Sequence, residues 1–149
     1  MDEDFEVTSS GYVVSCDKER IDVPMVQAFL CASYWAQGRS RETVERSIRN
    51  SLCFGVYAAD KQIAFARVVT DRAVFAYLAD VFVVPEFRGR GVSKLLMRTI
   101  LAHPDLQTLR SFLLGTRDAH GLYSQFGFGP VREPGRLMAR YASEANPSS

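Results

Sequence analysis

"VVPEFRGRGVSKLLMR", Val83 to Arg98, decides the reading of this chain. It opens as an apolar strand running into Pro85. It closes as an amphipathic helix whose apolar positions Val92, Leu95, Leu96 and Ile100 recur at helical spacing. Between the two stand Arg88, Gly89, Arg90, Gly91, Ser93 and Lys94. The first turn of a helix has backbone N–H groups without intrahelical partners and a partial positive charge. Glycine ahead of it lets a ligand approach the backbone closely, and Arg88, Arg90 and Lys94 add formal charge. Such a combination binds anions, phosphate above all. Neither familiar phosphate loop fits: there is no Gly-Lys-Ser/Thr ending, and G-x-G-x-x-G would need glycine where Lys94 stands.

Upstream, "SLCFGVYAA", "QIAFARVVT" and "AVFAYLADVFVV" are β-branched and aromatic runs separated by Asp60-Lys61 and Asp71-Arg72. Short Asp-containing joints predict hairpins, hence an antiparallel meander. Before it, a short strand is expected at 12–15. A helix capped by Asp22, with Pro24 in its first turn, should run to about Ala32, and a second, capped by Ser40, should cover 41–49. Downstream, Pro104 bounds the helix that follows Gly91. "SFLLGT" predicts a strand at 111–116, "AHGLYSQFGF" a short helix closed by Gly127, and "GPVREPGRLMARY" leaves room for two short strands. Strand, helix, strand from Val74 to Thr116 is a crossover unit with parallel strands. The fold class is therefore α+β, and the strand ends beside Arg88 are where an open sheet binds ligands.

A chain of 149 residues, 47% hydrophobic and 23% charged, is the size of one domain with an adequate core. We expect a single domain over residues 1–141 and a disordered tail at 142–149. The net charge of +1 gives no reason to expect a nucleic acid or membrane partner. Cys16, Cys31 and Cys53 are odd in number and lack a C-x-x-C pair, which predicts thiols in a reducing cytoplasm, with no disulfide framework and no metal site. "MDEDFEV" has no signal-peptide pattern, and no apolar run approaches a membrane span.

"VFVVPEFRGRGVSKLLM" resembles the signature of the GNAT superfamily of acyl-CoA-dependent N-acyltransferases, R/Q-x-x-G-x-G/A after a strand ending near proline. Arg88 and Gly91 match, and Ser93 takes the small-residue slot. "TRDAHGLYSQFGF" is similar to a second family pattern at Ala119, Leu122, Tyr123, Gly127 and Phe128. The resemblance covers nearly the whole chain and implies a mixed, mainly antiparallel sheet flanked by helices, its central strands splayed around acyl-CoA. It implies that pantetheine pairs with the backbone of Val81, Phe82 and Val83, and that pyrophosphate sits on Gly89, Arg90, Gly91, Val92, Ser93 and Lys94 beside Arg88. Thr116 stands where the family often has Asn, a shorter side chain at a cofactor contact.

The implied reaction moves an acetyl group from acetyl-CoA to a primary amine by direct attack in a ternary complex, so a cysteine nucleophile is not needed. Tyr123 occupies the family's general-acid position, and a backbone N–H near Val83, freed by a bulge, would polarise the carbonyl. The strand carboxylate that serves some members as base is missing from "SFLLGT". Asp80, a lone charge inside "YLADVFVV", is the best substitute as base; it reads equally as the partner of Arg67, with water deprotonating the amine instead. The acceptor should enter beside "SYWAQGRS", where Tyr34 and Trp35 read as core anchors or as a cage, and Arg39 as a candidate for a substrate carboxylate. A small-molecule amine is favoured over a protein amine. The alternative is a non-catalytic acyl-CoA-binding sensor or partner module. The family often dimerises, and the sequence leaves a homodimer open.

Overall fold

The computed structural model describes residues 4–142, so the expected tail, apart from Ala142, lies outside the described residues. Turn chemistry sets the sheet. Ser10 and Gly11 both take positive φ, 53° and 85°, the backbone twist that joins β1 (Glu6–Ser9) to β2 (Tyr12–Ser15). Ala59, φ 53°, turns β3 (Leu52–Ala58) into β4 (Lys61–Thr70). Asp71 Oδ1 accepts the N–H groups of Ala73, Val74 and Phe75, closing the joint to β5 (Phe75–Val83). These bonds stabilise the ionised carboxylate and lower its pKa.

The result is one six-stranded sheet in chain order, antiparallel from β1 to β5, with β6 (Ser111–Leu114) parallel to β5. The crossover is α3 (Val92–Ala102), which buries Val92, Leu95, Leu96 and Ile100 as its spacing predicts. It packs on the face formed by Phe54, Val56, Ala66, Val68, Ala76 and Leu78. The opposite face carries α1 (Val23–Ala32) and α2 (Arg41–Arg49), whose Val26, Leu30, Val44 and Ile48 bury Cys53, Phe65 and Phe82. Asp22 caps α1 through the Met25 N–H, and Ser40 caps α2 through that of Thr43, as expected. Cys16 and Cys53 are buried thiols, Cys31 is partly buried, and no disulfide joins them. No described helix is long and apolar enough to cross a membrane.

Two elements differ from the sequence reading. Strand β1 was not anticipated, because Glu-Val-Thr-Ser at a sheet edge shows no apolar alternation; the signal was the Ser-Gly turn after it. Conversely, no strand forms between Gly129 and Ala142; this segment makes only a 3₁₀ turn at Pro134–Arg136. Pro130 and Pro134 lack the N–H a ladder needs, and Leu137, Met138 and Tyr141 stay exposed.

Candidate active site

Three local irregularities make the site. The first is the start of α3. Gly91 is its N-cap at φ 79°, ψ 9°, and no side chain caps that end. Gly89 is also left-handed, φ 76°, and a Cβ built on either glycine meets nothing within 4 Å. The first-turn N–H groups therefore open onto a cavity of 320 Å³ bordered by Val83, Arg88, Gly89, Gly91, Ser93 and Lys94. Val92 also borders it, but Arg90 does not: its guanidinium lies 5.0 Å above the Phe87 ring. Arg88 is a brace, its Nε donating to the Val83 carbonyl at 3.0 Å.

The second is the parting of β5 from β6. Their register runs from Phe75↔Ser111 to Leu78↔Leu114 and stops there, while β5 continues to Val83. Val84 N–H donates to the Ile63 carbonyl at 2.9 Å. Backbone groups alternate sides along a strand, so Phe82 also turns toward β4, and the polar groups of Val81 and Val83 face the opening. Of the three residues expected to pair with an extended ligand, Val81 and the N–H of Val83 are thus available, the Val83 carbonyl already accepts from Arg88, and Phe82 is turned away. The Phe82 side chain instead stacks on Phe29, rings 3.9 Å apart. An open edge of this kind accepts an extended chain as an added strand.

The third is a bulge in β5. Phe82 pairs with Phe65 and Ala79 with Arg67, so Asp80 and Val81 together oppose Ala66. Asp80 takes φ 56°. The bulge reverses the facing of the strand: Ala76 and Leu78 point to α3 before it, Val81 and Val83 after it. Asp80 consequently points to the α1–α2 side. Its Oδ2 accepts from Arg67 Nε at 2.8 Å and Arg39 Nη1 at 2.9 Å, and its Oδ1 from Trp35 Nε1 at 3.0 Å. Arg67 also donates to Ser51 Oγ. The sequence offers Asp80 as a general base; the geometry gives both its oxygens to donors of β4 and of the loop between α1 and α2.

These groups border a cavity of 330 Å³ with Tyr34, Tyr77, Thr116 and Tyr123. Tyr123 lies on α4 (His120–Ser124), where the strands have parted, 9% exposed. Burial, reinforced by nearby Tyr34, raises the pKa of its phenol, so the hydroxyl holds its proton at neutral pH. Tyr123 also borders a 600 Å³ groove along β6 with His120 and Phe128. Thr116 Oγ1 accepts the Ala119 N–H at 3.0 Å, holding the turn into α4, and its O–H remains a possible donor. Trp35 and Arg39 are partners of Asp80 that spacing could not reveal, being 45 and 41 residues distant from it.

An uncapped helix start beside a cavity, an open strand edge and a protonated phenol fit a ligand with a phosphorylated end and an extended arm, which is the shape of acyl-CoA. Comparison with known proteins agrees. A family model described as an acetyltransferase (GNAT) domain matches residues 49–130. A solved GNAT-family "putative acetyltransferase" from Xanthomonas campestris pv. campestris is 48% identical, with TM-score 0.88 over 91% of this chain and 96% of its own. The "Putative acetyltransferase FG08082" of Gibberella zeae is 27% identical over 85% of this chain and 84% of its own. Rv2747 of Mycobacterium tuberculosis, solved in complex with CoA, shares the fold at 17% identity and TM-score 0.62, over 80% of this chain and 72% of its own. By the matched model, the 48% identical relative and the fold, this chain belongs to the GNAT family of acetyltransferases, which transfer acyl groups from acyl-CoA.

Proposed function

We propose that the protein moves an acetyl group from acetyl-CoA to the primary amine of a small molecule by direct attack, with Tyr123 as general acid. One observation carries this reading: a buried, protonated phenol stands where β5 and β6 part, in a cavity that also holds the acceptor-side Trp35 and Arg39. In the net reaction the amine nitrogen bonds the acyl carbon and the carbon–sulfur bond breaks. The ammonium loses two protons, one ending on the thiol sulfur and the other in solvent. Tyr123 gives the sulfur its proton and recovers one from the amine. The Val83 N–H, facing the opening just beyond the bulge, polarises the carbonyl. Backbone amides of Gly91 to Lys94 hold pyrophosphate, with Lys94 adding charge.

Water in the open cavity takes the other amine proton, and Asp80 acts by positioning Arg39, Arg67 and Trp35. A cavity of 330 Å³ is at the small end for ligand sites and suits a small acceptor over a protein segment. Thiols without a disulfide suit a reducing cytoplasm.

The test is calorimetric titration with acetyl-CoA, followed by an amine screen for thiol release in wild type and Tyr123→Phe. Micromolar binding is expected, with turnover lowered about 10²–10⁴-fold in the variant and acetyl-CoA affinity within a few fold. Binding without turnover on any amine class would instead identify a non-catalytic acyl-CoA module. An unchanged turnover number in the variant would remove Tyr123 from the mechanism.

A further inference from the structure

The acceptor side of the cavity has an uneven charge arrangement. Two guanidinium groups, Arg39 and Arg67, converge on one carboxylate, Asp80, whose side chain is 2% exposed. Each arginine side chain is 14% exposed, and both border the cavity. A guanidinium has five N–H donors in a rigid fork. Arg39 uses its Nη1 on Asp80, and Arg67 uses Nε on Asp80 and Nη1 on Ser51. Donors therefore remain on both, with one positive charge in excess over Asp80.

The other charged groups nearby do not reverse this. Asp118 borders the same cavity but lies 3.9 Å from Arg117, which offsets it. The face of Tyr34 that could receive a cation is already covered, the Arg117 guanidinium lying 3.7 Å from the ring centroid. A cationic acceptor thus meets a ring already occupied and a carboxylate already holding three donors, two of them guanidinium groups. An anionic one meets spare guanidinium donors in a partly dry site, where charge-assisted bonds are strong.

We propose that Arg39 and Arg67 bind a carboxylate of the acceptor, so that the substrate class is free amino acids, with the amine presented toward Tyr123. This rests on the acetyltransferase reading for its chemistry, but the anion site stands on its own geometry. Arg39 is the specificity-determining residue, because it reaches the cavity from the loop between α1 and α2 and has the more uncommitted donors.

The experiment compares the common L-amino acids with their carboxamides and decarboxylated amines, each pair read in two ways. One readout is thiol release with saturating acetyl-CoA; the other is calorimetric binding in the presence of CoA. For the preferred side chain, the amino acid should exceed its carboxamide about thirtyfold in kcat/KM, the effect of a charge-assisted pair in a partly buried site. Arg39→Ala should bring that ratio close to one, and Arg39→Lys should leave an intermediate ratio, because charge is kept and the planar fork is lost. A general loss of activity does not move a ratio, and if Arg39→Ala fails to fold, the wild-type ratio still decides.

Carboxamides or decarboxylated amines reacting as well as the amino acids would overturn the proposal. So would amino acids that neither react nor bind at millimolar concentration. Polyamines consumed with acetyl-CoA, amino acids being inert, would sink the carboxylate site and leave the acetyltransferase reading intact. Amino-acid binding without acetyl-CoA binding would do the reverse.

Discussion

Replacing Asp80 with asparagine separates the positioning role from the base role at a single atom. Asparagine fits the backbone, since it tolerates the left-handed region that Asp80 occupies at φ 56°. It keeps one acceptor oxygen and turns the other position into a donor. Of the three bonds at 2.8, 2.9 and 3.0 Å, it can retain the two on Oδ2, without their ionic character, and its amide hydrogens then oppose the Trp35 N–H. Two charge-assisted bonds, about 1.5–3 kcal/mol each, are at stake. Each arginine is 14% exposed and can turn partly to water, so the net loss is about 2–3 kcal/mol. At about 2–4 °C per kcal/mol for a chain of this size, the unfolding midpoint should fall about 4–12 °C. Acceptor KM should rise as the loop bearing Trp35 and Arg39 loosens, while acetyl-CoA affinity and the shape of the pH–rate profile persist. An unchanged midpoint, with kcat reduced about 10²-fold or more and the acidic limb gone, would refute this and make Asp80 the base.

Gly91→Ala should lower the midpoint by a few degrees, because a left-handed alanine costs about 1–2 kcal/mol while its Cβ, with nothing within 4 Å, adds no clash. In calorimetry the same methyl should weaken acetyl-CoA binding at least about tenfold, since it stands where the ligand must meet the helix N-terminus. Tyr57→Phe should hold or raise stability by about 1 kcal/mol in denaturant titration, since the buried Tyr57 hydroxyl has no hydrogen-bond partner among the described residues. Burial pushes that phenol up to about 12, against 10 in the unfolded chain, so its contribution is complete below pH 10 and is lost as pH rises toward 12. Wild type should therefore lose about 1 kcal/mol more than Tyr57→Phe between pH 9 and pH 11. Gly55→Ala should destabilise by about 1–3 kcal/mol, its Cβ overlapping the Tyr57 hydroxyl, and Tyr57→Phe should recover part of that in the double variant.

Much of this molecule was legible because local rules carried it. Asp22 with Pro24, and Ser40, mark helix starts by chemistry that acts within one turn, and the helix after Gly91 announces its buried face by spacing alone. The glycines at 89 and 91 mark the open start of that helix for the same local reason. What escaped is non-local. Nothing near Trp35 or Arg39 in sequence states that both reach Asp80 across the sheet, and nothing in "SFLLGT" states that pairing with β5 ends at Leu114. The segment after Gly129 misled in the other direction: its length leaves room for two short strands, but the prolines deny it the donors a strand needs.

The bulge itself does leave a trace in the sequence. On a regular strand the residues facing α3 would recur every second position, and Ala76 and Leu78 do so. The next residues on that face are Val81 and Val83, a step of three across Asp80. Had the alternation continued unbroken, Asp80 would point into the apolar cluster around Leu95 and Leu96, where an unpaired carboxylate is prohibitively costly. The extra residue turns it instead toward Arg39 and Arg67, and puts Val81 and Val83 in phase to present their backbone to the opening between β5 and β6. A charged residue that breaks the period of an apolar strand therefore identifies, before any coordinates, where the sheet departs from regularity, and here the cluster of Asp80, Arg39 and Arg67 and the open strand edge both depend on that departure.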